Sequence, residues 1–337
     1  MLSLLRPAAG FTCVFALATA GCSAGPKQTA DTSSNATASA TADAPSSATS
    51  YAPYVSATEA SANDSSGSPS TYNLAFVISD GSDCTPQWNG EDAIADTAVK
   101  SRISRLTADG GTVRVSFGGA SGKELAATCD SVAKLAAAYG TALDAAGSSQ
   151  ADFDVEGAEL TDADTVALRS EAIAALQKER PDLEVSFTLP VMPSGLDSDS
   201  LALLESANTY DVQVSTVNLM TMNYGESYAG DMGDYALASA KAAHTQLRKV
   251  FGLSAAGAWQ GMALTSMIGV NDVAGETFTL SDAAQVRTFA EEKEIAWVSM
   301  WSTFRDQECA KGSGTDAATD CSGVKQSSGA FGEALAG

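Results

Sequence analysis

From Tyr51 onward, short apolar runs rich in β-branched and aromatic residues alternate with longer segments of helical periodicity. The runs predict eight strands: Ala52 to Ser56, Tyr72 to Ile78, Thr112 to Phe117, Ala151 to Glu156, Leu183 to Leu189, Val217 to Met222, Met262 to Ile268 and Ile295 to Trp301. Helical patterns lie between most of them: Glu91 to Arg105, Lys123 to Ala145, Asp162 to Glu179, Ser198 to Ala207, Gly233 to Phe251 and Ser281 to Lys293. Thr161 and Ser281 are the expected caps of two of these helices. Strand and helix in strict alternation predict an α/β fold, a single (β/α)8 barrel spanning 51–337. The first connection departs from the pattern. Glu59 to Ser70 is short, polar and rich in Gly, Ser and Pro, so the first crossover helix is expected to be missing or reduced.

One predicted strand carries an unusual face. In Asp152-Phe153-Asp154-Val155-Glu156-Gly157, alternation puts the three acids on one side, about 6.6 Å apart, and Phe153 and Val155 on the other. Three carboxylates in a row on a buried strand repel one another and lose hydration, which raises their proton affinity and costs stability. A solvated or salt-bridged edge strand could carry the same residues. Placement at the end of the fourth barrel strand favours chemistry, because barrel sites are built at the carboxyl ends of the strands.

Composition narrows the chemistry. A net charge of −22 argues against nucleic acid or anionic membrane surfaces as partners. The single histidine, His244, falls within a predicted amphipathic helix and reads as a helix-surface residue. With one imidazole in the chain, Ser-His-Asp sites, Cys-His sites and multi-histidine metal sites lose their footing, and neither metal nor cofactor is expected. A monomer is expected.

Residues 1–22 read as an export signal, with Arg6 as the positive region, Ala8 to Ala20 as an apolar stretch too short to span a bilayer, and Ala18-Thr19-Ala20-Gly21-Cys22 as a lipobox-like end. Cys22 is the expected lipidation site, with an ordinary cleaved signal as the other reading. Both place the protein outside the cell or at its surface. Residues 23–50, almost all Ala, Ser and Thr, form the expected disordered tether. In an oxidising compartment the later cysteines favour two local disulfides, Cys84 with Cys129 and Cys309 with Cys321. No Cys-x-x-Cys pair supports zinc.

The Asp-x-Asp-x-Glu motif at Asp152, Asp154 and Glu156 resembles the signature of glycoside hydrolase family 18 chitinases. Three further elements are similar to that family's and fall in its order: Ser116-Phe117-Gly118-Gly119 ending strand three, Met222-Asn223-Tyr224 ending strand six, and Trp301 ending strand eight. Tyr51-Ala52-Pro53-Tyr54-Val55, Met267-Ile268-Gly269-Val270-Asn271-Asp272 and Ser299-Met300-Trp301-Ser302 look like its secreted bacterial branch. Two departures stand out. Ser149 and Gln150 occupy positions where the fuller pattern has Asp-Gly, and Asn223 and Gly225 flank Tyr224 where relatives commonly carry an aspartate.

The resemblance implies retaining hydrolysis of β-1,4 N-acetylglucosamine linkages, with the substrate's own acetamido oxygen as nucleophile, an exception among retaining glycosidases. It implies Glu156 as general acid and base, and Asp154 as the group that holds the acetamido N–H. Asp152 would share a proton or hydrogen bond with Asp154, and Tyr224 would orient the acetamido group. Trp301 would floor the cleaved sugar's subsite. Met222, Asn223, Trp88, Asn271 and Asp272 are further candidates for substrate contact, Trp88 as a sugar platform on a loop. Ser116, Gly118 and Gly119 read as structural, and Trp259 and Trp297 as packing residues. Chitin or N-acetylglucosamine oligosaccharides are the implied partners. A catalytically silent glycan-binding barrel and an endo-β-N-acetylglucosaminidase acting on glycoprotein glycans remain open readings.

Overall fold

The computed structural model describes residues 49–310 and 319–337. The expected signal, Cys22 and most of the tether lie outside the described residues. The tether ends earlier than the composition suggests: Thr49 is buried and Ser50 already belongs to the sheet.

The first barrel strand comes in two pieces, Ser50–Tyr51 and Tyr54–Ser56, because Pro53 has no N–H to give to a ladder. Each piece serves a different neighbour. Ser50 and Tyr51 pair in parallel with Trp297 and Val298 of the last strand, while Tyr54 to Ser56 pair in parallel with Asn73 to Ala75 of the second. This split strand joins the two ends of an otherwise continuous parallel sheet. The other strands follow in chain order as neighbours: Thr71–Ser79, Thr112–Gly118, Gln150–Asp154, Glu184–Pro190, Val214–Met220, Met262–Met267 and Trp297–Trp301.

The helices Thr97–Leu106, Val132–Ala146, Ala163–Glu179, Ser198–Thr209, Met232–Phe251 and Leu280–Lys293 make the crossovers. Residues 57–70 form turns, and the C-terminal helix Ala330–Ala336 lies so close to them that a Cβ at Gly67 (φ 73) would meet the Gly332 carbonyl. Two of the expected caps shift by a residue or two. Asp162, rather than Thr161, accepts from Asp164 N and Thr165 N, and Thr279, rather than Ser281, forms a capping box with Asp282.

Two predicted helices are shorter than their periodicity suggests. Residues 91–96 do not join the helix Thr97–Leu106; Pro86–Trp88 and Asp92–Ala93 form a small antiparallel hairpin on the second barrel strand. The Lys123 to Ala145 pattern divides into a 3-10 turn, Leu125–Ala127, and the helix Val132–Ala146, with Cys129 between them bonded to Cys84. Cys309 is bonded to Cys321.

Alternation along Gln150–Asp154 sorts the two faces as expected. Phe153 points outward into an aromatic row with Phe117 and Phe187, its partners in register on either side, and with Tyr139 of the covering helix at 4.9 Å. Asp152 and Asp154 therefore point into the barrel.

Candidate active site

Parallel register determines what surrounds each acid. Asp152 lies abreast of Ser116 and Ser186, and Asp154 abreast of Gly118 and Thr188. The Asp152 carboxylate, 1 % exposed, accepts four hydroxyl donors: Tyr54 (3.0 Å) and Ser116 (2.7 Å) on Oδ2, Ser186 (2.7 Å) and Thr188 (2.8 Å) on Oδ1. Its lone pairs are filled, so burial leaves no polar atom of this side chain unsatisfied.

Asp154 stands in the opposite condition. It is 6 % exposed and its Oδ1 has no hydrogen-bond partner. Burial pushes its carboxyl well above the usual carboxylate range, and the negative fields of Glu156 and then Asp152 push it further. The expected hydrogen bond between Asp152 and Asp154 is not present, because four hydroxyls already occupy Asp152. Glu156 lies past the end of the strand, which stops at Asp154, and Gly157 (φ 58) turns the chain away. Glu156 is half-buried, and burial raises its carboxyl above the ordinary value.

Gly118 and Gly119 allow the close fit on one side. A Cβ at Gly118 (φ 100) would collide with the Asp154 carbonyl, to which Gly119 N–H donates at 3.0 Å. Beyond them, Glu124 forms a buried ion pair with Arg169 at 2.8 Å and accepts from Tyr139 at 2.7 Å, bracing the loop after strand three against the helix Ala163–Glu179.

A cleft of about 110 Å³ opens above the acids. Asp154 and Glu156 line it together with Trp301, Met222, Asn223 and Asp272, and so do Tyr54, Phe76, Thr188 and Met267. Trp301 stacks on Phe76 with ring centroids 5.5 Å apart, and Tyr54 meets Trp301 edge-on at 5.8 Å. Asn223 (φ 54) reaches Asp272 Oδ2 at 3.4 Å.

Besides the buried Asp152, three of the expected site residues are not in this lining. Trp88 is fully buried in the core, with Nε1 donating to the Ile94 carbonyl at 3.3 Å. The hairpin turns it inward and leaves no platform. Asn271 is buried too, and its Nδ2 holds the Met267 and Gly269 carbonyls at 2.8 and 3.0 Å. It shapes the loop that carries Asp272. Tyr224 packs its ring with Tyr228 and Tyr235 and places its hydroxyl 3.4 Å from Ser239 Oγ, on the helix Met232–Phe251. The tyrosine that reaches the acids is Tyr54.

Tyr54, Phe76 and Thr188 were not singled out from sequence as site residues. Each sits near the carboxyl end of its barrel strand, and counting inward positions there is the signal that would have found Tyr54 and Thr188. His244 stacks on Trp259 at 3.9 Å, and Trp297 lies under the Arg114 guanidinium, both away from the cleft lining. Among the described residues, no group of three His, Cys, Asp or Glu side chains could hold a metal ion, and no helix is long and apolar enough to cross a membrane.

No protein-family model matches the sequence. Individual relatives do. The chain is 34% identical over 275 residues to a probable bifunctional chitinase/lysozyme of Escherichia coli (strain K12), covering 76% of this chain and 31% of the relative. It is 32% identical over 274 residues to endochitinase 11 of Metarhizium anisopliae, covering 76% and 52%. The chain thus spans about half or less of the length of these curated relatives. The fold superposes with TM-score 0.74 and 28% identity on the active domain 2 of a thermostable chitinase from Pyrococcus furiosus, in crystal structures of catalytic-site mutants with chito-oligosaccharides, covering 85% of this chain and 92% of that one.

A parallel α/β barrel with an acid-lined, aromatic-floored cleft at the strand ends is the architecture this chain presents, and its fold is that of the Pyrococcus furiosus chitinase domain. Over 76% or more of its length the chain is thus similar to chitinases.

Proposed function

We propose that this protein is a retaining chitinase that cleaves β-1,4 linkages between N-acetylglucosamine units. The observation that carries the reading is the contrast between two neighbouring acids: Asp152 saturated by four hydroxyls, and Asp154 buried with an unpartnered oxygen in a cleft it shares with Glu156. The crystal structures of the Pyrococcus furiosus domain with chito-oligosaccharides support the same substrate class.

In the proposed reaction, the oxygen of the substrate's 2-acetamido group attacks the anomeric carbon as the glycosidic bond breaks. The leaving oxygen takes a proton from Glu156, whose proton affinity is raised by burial. The product of this step is an oxazolinium ion. Asp154, with a free acceptor oxygen, receives the acetamido N–H and offsets the developing positive charge. Water then attacks the anomeric carbon, gives its proton to Glu156 and restores the acetamido group, with net retention. Asp152 fixes its neighbours in place through the hydroxyls it accepts, and Trp301 with Phe76 offers an apolar face to the sugar ring.

Export and tethering through Cys22 remain part of the proposal on the sequence alone. The test of the activity is release of product from N-acetylglucosamine oligomers by the wild type and by Glu156→Gln. The variant is expected to lose about two to four orders of magnitude in rate. A wild type that binds the oligomers without cleaving them would establish the silent-barrel reading instead.

A further inference from the structure

The cleft has a second acidic wall that the proposed reaction leaves unused. Asp272 sits on the loop after the seventh barrel strand and lines the same cleft as Asp154 and Glu156. Its loop is braced from several directions. Asn271 Nδ2 holds two carbonyls, Asn271 N–H donates to the Glu276 carbonyl at 3.0 Å, and Gly225 N–H donates to Glu276 Oε1 at 2.8 Å. Asp272 itself is exposed and its carboxylate receives one long contact, Asn223 Nδ2 at 3.4 Å. Arg305 feels its charge, but the Arg305 guanidinium donates to the Ile268 and Val270 carbonyls. Among the described residues no Lys or Arg forms an ion pair with Asp272, and no Lys, Arg or His lines the cleft.

The lining of the cleft therefore offers three carboxylates and no cation. A neutral chain of N-acetylated sugars brings no positive charge to Asp272, whose field from within the protein comes from Arg305. Removing an acetyl group from such a chain leaves a primary amine, which below neutral pH is an ammonium ion with three donors. The cleaved unit has to keep its acetyl group, because that group supplies the nucleophile. An ammonium can enter only a flanking position.

Resting on the proposed chitinase reading, we infer that Asp272 is a specificity-determining residue that binds the ammonium of a deacetylated glucosamine unit beside the cleaved sugar, so that partially deacetylated chains are preferred substrates. The attraction is a single contact at an exposed rim, which sets its scale at about two- to fivefold in affinity and makes it sensitive to salt.

The test compares two oligomers of equal length, one fully N-acetylated and one with a single free amine, at about pH 5.5, where an alkyl amine is protonated. Binding is measured calorimetrically on the full chain carrying Glu156→Gln, with and without Asp272→Asn. The substitution keeps the side chain's size and suits an exposed site. The expected result is an affinity ratio favouring the amine-bearing oligomer that falls about two- to fivefold in the Asp272→Asn background and shrinks in about 0.5 M salt. A ratio unchanged by the substitution, or unchanged by salt, overturns the inference while leaving the chitinase reading in place. Failure of both oligomers to bind overturns that reading and this inference with it.

Discussion

Tyr54 Oη donates to Asp152 Oδ2 at 3.0 Å, tying the first barrel strand to the fourth across the barrel interior. The same hydroxyl lies 3.0 Å from Thr188 Oγ1, so one phenol joins three strands around the acid that anchors the cleft. Tyr54→Phe keeps the ring against Trp301 and Phe76 and removes only the donor. A buried bond to a carboxylate contributes about 1.5 to 3 kcal/mol. Asp152 keeps Ser116, Ser186 and Thr188, so the chain should fold with a melting point only a few degrees lower. The expected kinetic effect is a loss of about tenfold in kcat with little change in KM, because the alignment of the acids changes and the sugar contacts do not. Steady-state kinetics with a thermal melt separates the two effects.

The two tryptophans named from sequence as sugar contacts should behave in opposite ways. Trp88 is fully buried in the core, and Trp88→Ala should cost about 3 to 5 kcal/mol of stability, read as a large fall in denaturation midpoint. Trp301 lines the cleft and is half-buried, so Trp301→Ala should leave most of the stability and raise KM about tenfold. A Trp88 variant with wild-type stability and a raised KM would place Trp88 in the cleft after all.

That contrast also shows where the sequence could and could not be read. The acid face of Gln150–Asp154 was legible because a period of two sorts Asp152 and Asp154 from Phe153 whatever the neighbours are. The eight strands were legible for the same reason, with ends misplaced by a few residues. The hairpin at Pro86–Trp88 and Asp92–Ala93 was not. Strands of two and three residues carry no period, and their formation depends on pairing with each other and with the second barrel strand. Trp88 was misread with it. Tyr224 and Asn271 were misread because a residue number at a strand end does not say which way the loop turns. Tyr54, hidden in a strand broken by Pro53, becomes recognisable only once the register sets it opposite Asp152.

The two disulfides should differ in what they contribute. Cys84 and Cys129 are 45 residues apart, and Cys309 and Cys321 are 12 apart. By loop-closure entropy the longer crosslink restricts the unfolded chain by about 4 kcal/mol and the shorter by about 3 kcal/mol. Replacing Cys84 and Cys129 together by serine should therefore lower the urea midpoint more than replacing Cys309 and Cys321. The first pair also joins the loop after strand two to the segment leading into the helix Val132–Ala146, close to Glu124. Equal midpoints for the two double variants would count against the entropic account.

Asp154 should make the protein less stable as pH rises. Its carboxyl is held well above the usual range by burial and by the fields of Glu156 and Asp152. In the unfolded chain an aspartate titrates near pH 3.9, at about the model-peptide value. Between that point and the raised folded value, the folded protein holds a proton that the unfolded chain has released. Stability then falls with increasing pH across the window and levels off once the group is ionised in both states. Asp154→Asn removes this contribution, so the variant should match the wild type below about pH 4 and exceed it increasingly above. Glu156, raised in the same direction by burial, leaves a smaller slope of the same sign in the variant. Activity should fall by about two orders of magnitude, the scale of losing an electrostatic stabiliser of the intermediate. Thermal melts of both proteins from about pH 4 to pH 8 test the linkage directly. A variant that melts below the wild type at the alkaline end would mean that the Asp154 carboxylate has a charged partner, and that the cleft is not the uncompensated acidic site described above.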